Sequence, residues 1–168
     1  MEFDYIDEVV AEWAEELPDL DTSGLQIGGR IAVLERHLSQ RIDRYLSELN
    51  LQIWGFDVLA SLFRSGPPYT QTPTRLMRNC FLSSGAVTNR LKRLEAQNLI
   101  VRRQDTHDKR SVAVTLTPEG EKLARKAIEG RTEFMRPTFD GLSSEEQDDL
   151  TVLLRKLLVH IQKMEDWN

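Results

Sequence analysis

A mainly helical chain carrying one small β-hairpin is the fold class that this sequence of 168 residues predicts. Three observations carry the prediction. Apolar residues recur at three- and four-residue steps along most of the chain, with capping residues ahead of them. Two runs, 100–104 and 111–116, instead read as strands, and a polar loop joins them. Charge is segregated: residues 75–110 hold nine Lys/Arg against three Asp/Glu, whereas residues 1–21 hold nine Asp/Glu and no Lys/Arg.

Residues 4–17 read as a short amphipathic helix. Ile6, Val9, Val10, Trp13 and Leu17 share one face, and Pro18 follows. So short a helix needs a surface to dock on. Asp21-Thr-Ser23 can cap the next helix, which runs to about residue 49. Its stripe of Ile27, Ile31, Leu34, Leu38, Ile42, Tyr45 and Leu49 exceeds what one small core requires. Gly28-Gly29 permits a kink or a close backbone contact within it. Residues 51–65 form a helix that is apolar on nearly every side, and such a helix is buried. Its one charge before Arg64, Asp57, wants a cationic or hydrogen-bonding partner. Gly66-Pro-Pro68 ends it.

Thr72-Pro73 starts a short helix, since Pro suits the first helical position. Phe81-Leu82 and Ser83-Ser84 break it, and Ser83 caps a second helix to about Gln97. Val87, Leu91 and Leu94 form the inner stripe of that helix. Gly85, Asn89, Lys92 and Arg93 fall on the outer face. Helix, tight turn, then a helix with a small, polar and basic outer face is the pattern of helix-turn-helix DNA binding. Asn suits base edges, while Lys and Arg hold phosphates. The hairpin that follows is a wing, with Asp105-Thr-His-Asp-Lys-Arg110 at its tip. Arg110 can enter a minor groove, held in place by Asp108. Ser84, Gly85, Thr88, Asn89, Lys92, Arg93, Asp108 and Arg110 are the expected DNA-binding residues.

After the wing, Thr117 caps a helix with Pro118 at its first position, running to about Phe139. Ser143-x-x-Glu146 is a capping box for the last helix. That helix carries a wide stripe of Leu150, Leu153, Leu154, Leu157, Leu158, Ile161 and Met164. The terminal helices hold more apolar surface than one winged helix covers, and the simplest partner is a second copy. The expected organisation is a single domain: residues 1–20 as an extra N-terminal helix, 21–50 and 117–168 as dimerisation helices, and 51–116 as the winged helix-turn-helix. A two-fold dimer presents two recognition helices to a pseudo-palindromic double-stranded operator.

Composition narrows the classes. Hydrophobic residues at 40% and charged residues at 29% suit a soluble globule. No apolar run approaches a membrane span, and the acidic start is neither a signal nor a transit peptide. One Cys excludes an internal disulfide and suits a reducing cytoplasm. There is no phosphate-cradling Gly loop, nucleophile elbow or metal-ligand spacing, so neither an enzyme nor a resident cofactor is expected. The net charge of −5 leaves the basic island as the nucleic-acid footprint.

The string Leu82-Ser-Ser-Gly-Ala-Val-Thr-Asn-Arg-Leu91, with Arg93-Leu-Glu95, Asn98-Leu-Ile100, Arg103, Asp105-x-x-Asp108-x-Arg110 and Leu116-Thr-Pro-Glu-Gly120, resembles the MarR family of winged-helix regulators. Asn98 stands where that family usually has Gly, and Asn tolerates the same left-handed helix end. The resemblance implies a dimer through the terminal helices. Gly66-Pro-Pro-Tyr69 and the extra N-terminal helix look like the urate-responsive, PecS- and HucR-like branch. By that resemblance Trp13, Asp57 and Arg90 contact a small anionic ligand, urate or a related purine, and Arg102 links Asp57 to the wing side. Periodicity itself marks Arg90, which leans inward about 60° from the centre of the core stripe. The resulting expectation is a cytoplasmic repressor released from its operator by that anion. The alternatives are response to another anion, to pH through His37 and His160, or to Cys80 oxidation, and a winged-helix protein-interaction module that binds no DNA.

Overall fold

The computed structural model describes residues 2–104 and 112–164. Residues 2–127 belong to one compact unit and residues 128–164 to a second. In the first unit, α1 (Tyr5–Glu16) is capped by Asp4, whose carboxylate accepts from the Ile6 and Asp7 amides while Asp7 returns the bond. It docks on α2 (Ser23–Glu48), where Ile6 lies against Gly29. A Cβ on Gly29 would stand 3.0 Å from Ile6 Cδ1, so the glycine provides the close contact between the two helices. Asp4 and Asp7 both hold Arg30, at 2.8 and 2.7 Å. At the start of α2 the side-chain bond comes from the expected Asp21-Thr-Ser23 stretch, though not from Thr22. Asp21 takes the Ser23 amide instead.

The core gathers on α3 (Ile53–Phe63), whose Gly55, Phe56, Val58, Leu59, Ser61 and Leu62 are all buried. Around it lie α4 (Pro73–Asn79) and α5 (Ser84–Ala96), which contribute Leu76, Val87, Leu91 and Leu94. A three-stranded antiparallel sheet, ordered β1-β3-β2, closes the unit. In it β2 (Ile100–Gln104) pairs β3 (Val112–Leu116) with Ile100 opposite Leu116 and Gln104 opposite Val112. The two-residue β1 (Thr70–Gln71), which sequence pattern does not reveal, pairs Thr70 with Thr115 and Gln71 with Val114. The start of α6 (Pro118–Met135) packs Gly120, Ala124 and Ala127 inward.

In the second unit α6 ends four residues earlier than expected, and a short 3-10 helix takes Arg136–Phe139. The capping box on α7 (Ser144–Met164) is present: Glu146 accepts from the Ser143 amide and Ser143 from the Glu146 amide. No described residue of α7 is buried within the chain, and Leu153 is 63% exposed. In the first unit α2 leaves Ile27 62% exposed. Among the described residues no helix is long and apolar enough to cross a membrane.

Candidate nucleic-acid interface

The turn between α4 and α5 begins with local chemistry. Thr72 caps α4 by accepting from the Arg75 amide, and Pro73 opens the helix. The Phe81 amide then donates to Arg78 O and the Leu82 amide to Met77 O. This paired bonding ends a helix around a left-handed residue, here Phe81 at φ 51°. Ser83 caps α5 by accepting from the Ala86 amide.

With Val87, Leu91 and Leu94 buried, the remaining positions of α5 have a fixed outward side. Ser84, Gly85, Thr88, Asn89, Lys92 and Arg93 are all exposed, as expected. Nothing lies within 4 Å of where a Gly85 Cβ would stand, so a base edge can approach the backbone there. Thr88 Oγ1 donates to Ser84 O at 3.1 Å, which leaves its lone pairs free to accept from outside. The expected wing residues Asp108 and Arg110 lie outside the described residues.

Sequence reading missed two groups on this side. Arg75 and Arg78 of α4 are exposed beside Thr72 and Thr74, around a hollow of about 410 Å³. The first helix of a helix-turn-helix crosses the DNA backbone, so these cations stand where phosphates pass. Trp54, at the second position of α3, lies under α5. Its ring centroid is 5.8 Å from the Arg90 guanidinium and 5.9 Å from that of Arg93. Its indole N–H donates to the Gln52 side chain. Both arginines thus lie against one aromatic ring, and the three-residue spacing on α5 is the local signal that they share a side of the helix.

The expected ligand residues separate. Arg90 leans inward as its helical phase requires and is half-buried. Trp54, whose ring meets Arg90, and Asp57 lie three residues apart on α3 and so share a side of it, and Asp57 and Arg90 both bear on the Cys80 thiol. Burial pushes that thiol above its ordinary pKa and Asp57 adds to the rise, while Arg64, a bond from Ser61 and Arg90 oppose it. Beside them Gln71 Nε2 donates to Ser61 O, and Asn79 Nδ2 donates to Gln71 Oε1 at 3.0 Å and Ser61 Oγ at 3.1 Å. The buried Gln71 amide and the half-buried Asn79 amide tie α3, β1 and α4 together.

Arg102 corrects the expectation that it links to Asp57. Its guanidinium bonds Glu95, with Nε 2.9 Å from Oε2, and its amide donates to Oε1 at 3.2 Å. The reason is topological: β2 begins directly after the turn that ends α5, which lays Arg102 over the last turn of that helix. Side-chain bonding from Arg102 holds the Glu95 carboxyl below the ordinary glutamate range. Trp13 is 44% exposed on α1. The docking of Ile6 on Gly29 sets α1 along the first turns of α2. Roughly 25 Å of helix rise then separates that contact from Leu46, where α2 joins the core. Within one chain the structure therefore does not bring Trp13 to Asp57 and Arg90.

One more junction positions the wing. Asn98 takes the left-handed conformation at φ 57° and ends α5. Thr117 then bridges back, its amide donating to Leu99 O at 3.1 Å and its hydroxyl to Asn98 O at 2.7 Å. The same hydroxyl accepts from the Gly120 amide at 2.9 Å and so caps α6.

A model of the MarR family matches residues 55–112. The HTH-type transcriptional regulator PecS of Dickeya dadantii is 30% identical over 156 residues, which cover 93% of this chain and 94% of that protein. Among solved structures, a MarR variant from E. coli complexed with operator DNA matches with a TM-score of 0.71 at 25% identity, covering 87% of this chain and 97% of that one. AbsC, a MarR family transcriptional regulator from Streptomyces coelicolor, matches in fold with a TM-score of 0.75 at 21% identity, covering 86% of this chain and 98% of that one. With its outward basic helix, its two-stranded wing and a relative alike over nearly the whole chain, this protein belongs to the MarR family of winged-helix, DNA-binding transcriptional regulators.

Proposed function

We propose that the chain acts as a homodimeric repressor that occupies a pseudo-palindromic operator and leaves it when a small planar anion, urate or a related purine, binds behind α5. The observation that carries the reading is that Arg90, half-buried on the inner flank of α5, meets Trp54 of α3, which lies one turn from Asp57 on the same side of that helix. A guanidinium offers forked donors to a planar anion. An anion drawn to Arg90 brings negative charge toward the Asp57 carboxylate. Relief of that repulsion moves α5, and the ligand thereby favours a state that fits the operator less well. The exposed apolar faces of α2 and α7 support the dimer, each being a stripe that a second copy can cover. A two-fold axis then sets the two copies of α5 about one DNA turn apart. In this reading Arg102, through Glu95, holds the wing to α5 and does not touch the anion. Trp13 belongs to the docking of α1.

A gel shift on the DNA upstream of the protein's own gene, with urate titrated in, tests the proposal. Retarded DNA that urate releases is the expected result. Arg90→Ala is expected to keep the fold and lose the release, while Trp13→Phe keeps it. Release by urate that survives Arg90→Ala unchanged would sink the assignment of the anion site. Retarded DNA that urate never releases would sink the effector class.

A further inference from the structure

Arginine is held in two ways in the first unit. Arg30 lies between Asp4 and Asp7, and Arg102 is bound to Glu95. In those pairs a carboxylate cancels the charge and occupies N–H donors. Arg93, on the outward face of α5, instead meets the Trp54 ring, its guanidinium carbon 5.9 Å from the centroid. A ring attracts a cation through its quadrupole and carries no opposing charge. The contact therefore restrains Arg93 and leaves its positive charge uncancelled, which is what a phosphate contact requires.

The ring is a firm seat. Trp54 is half-buried at the second position of α3, the helix on which the core gathers. Its indole N–H donates to the side chain of Gln52, the residue ahead of that helix, whose carbonyl accepts from the Gly55 and Phe56 amides. Gly55, next to the tryptophan, is buried, and a Cβ there would stand 3.6 Å from Leu94 Cδ2 of α5. The two helices are thus closely apposed beside the ring. Alongside lies a hollow of about 400 Å³, bounded in part by Gln52, Trp54, Arg93 and Gln97. Without the ring, the long Arg93 side chain has room to turn into that hollow and away from the outer face.

We propose that Trp54 is a positioning residue for operator binding, whose ring holds the Arg93 guanidinium ready at the outer face of α5 for a phosphate of the DNA backbone. The proposal rests on the DNA-binding reading above, with Arg93 as one of its contacts. Arginine is rich in rotamers, and ordering such a side chain when an interface forms weakens binding. Trp54 orders Arg93 during folding, before DNA arrives. Loss of the ring lowers affinity by that ordering cost, while the phosphate is still met once the complex forms.

The test uses the duplex that the unaltered protein selects from a random-sequence pool. Recovery of no duplex would end the DNA-binding reading, and the proposal with it. Arg93→Ala is expected to weaken binding and to lower the slope of its salt dependence by about one phosphate's worth. No change in either would take Arg93 off the interface and overturn the proposal, with the DNA-binding reading left standing. Trp54→Leu, its active fraction counted by stoichiometric titration, is expected to weaken binding roughly threefold to tenfold with the slope kept. Trp54→Phe, which keeps a ring beside the cation, is expected to recover most of the affinity. In the Arg93→Ala background, Trp54→Leu should change affinity less than twofold, since no guanidinium is left to position. A loss of undiminished size in that background would overturn the proposal, because the ring would then act through Arg90 or through the fold. Affinity of Trp54→Leu within twofold of the unaltered protein would overturn it as well. Should Trp54→Leu fold poorly, Trp54→Met, a longer side chain without a ring, decides by the same criteria.

Discussion

Gly120→Ala is the substitution whose outcome the geometry constrains most tightly. An added Cβ would lie 1.8 Å from the Leu99 carbonyl oxygen and 2.8 Å from its carbon. Ordinary carbon–oxygen contacts begin near ~3.3 Å, so α6 or the Leu99 turn must give way by roughly 1.5 Å. Neither is a flexible side-chain end. The Leu99 oxygen accepts from the Thr117 amide at 3.1 Å and the Asn98 oxygen from the Thr117 hydroxyl at 2.7 Å, and these bonds bind the same turn to α6. Overpacking costs about 1–3 kcal/mol, and two strained hydrogen bonds add roughly 1 kcal/mol each. Better helix propensity returns only about 0.5–1 kcal/mol. The net expectation is a loss of about 3 kcal/mol, or roughly 6–12 °C in thermal midpoint for a chain of this size. Urea unfolding followed by far-UV circular dichroism, at one fixed protein concentration because subunit association contributes to stability, measures it. Gly85→Ala is the matched control: its Cβ meets nothing within 4 Å, so stability should hold or rise. A loss below about 1 kcal/mol for Gly120→Ala would refute the reasoning, because the steric term would then not outweigh propensity.

Other consequences are as direct. Trp54→Leu removes the ring under Arg90 and Arg93 and should lower stability by roughly 1–2 kcal/mol, two exposed cation–π contacts' worth, in the same urea assay; an unchanged midpoint would show that the ring holds neither cation. The Glu95 carboxyl is held low in the folded state, chiefly by Arg102. Its contribution is therefore full above the unfolded value of about 4.3 and is lost as pH falls through the lower folded value. Glu95→Gln should flatten that acid limb of the stability profile, and a limb of unaltered steepness would contradict the bridge. Burial holds the Cys80 thiol above its ordinary pKa. At neutral pH it should therefore alkylate more slowly with iodoacetamide than free glutathione does; an equal rate would contradict its protonated state.

Much of the fold was legible because its signals are local. Ser83 caps α5, and Val87, Leu91 and Leu94 set its inner face within four turns of chain, so the exposure of Gly85, Asn89, Lys92 and Arg93 followed from helical phase alone. The same holds for the Ser143–Glu146 box and for Asn98 at its left-handed helix end. What stayed hidden depends on residues far apart in sequence. A two-residue strand such as β1 has no period to read, and it exists because β3 offers Val114 and Thr115 beside it. Arg102 is separated from both Asp57 and Glu95 in the chain, and spacing cannot choose between them.

The sequence by itself determined which helices form, where they begin, and which residues of α5 face outward, since each depends on bonds and phases a few residues long. Tertiary structure alone decided that Trp54 lies under two arginines, that Arg102 pairs Glu95, that Gly120 must leave room for Leu99, and that α1 sits along the first turns of α2. Each of those is a meeting of separate elements. Their positions come from how the whole chain buries its apolar faces at once, which no short window of residues contains.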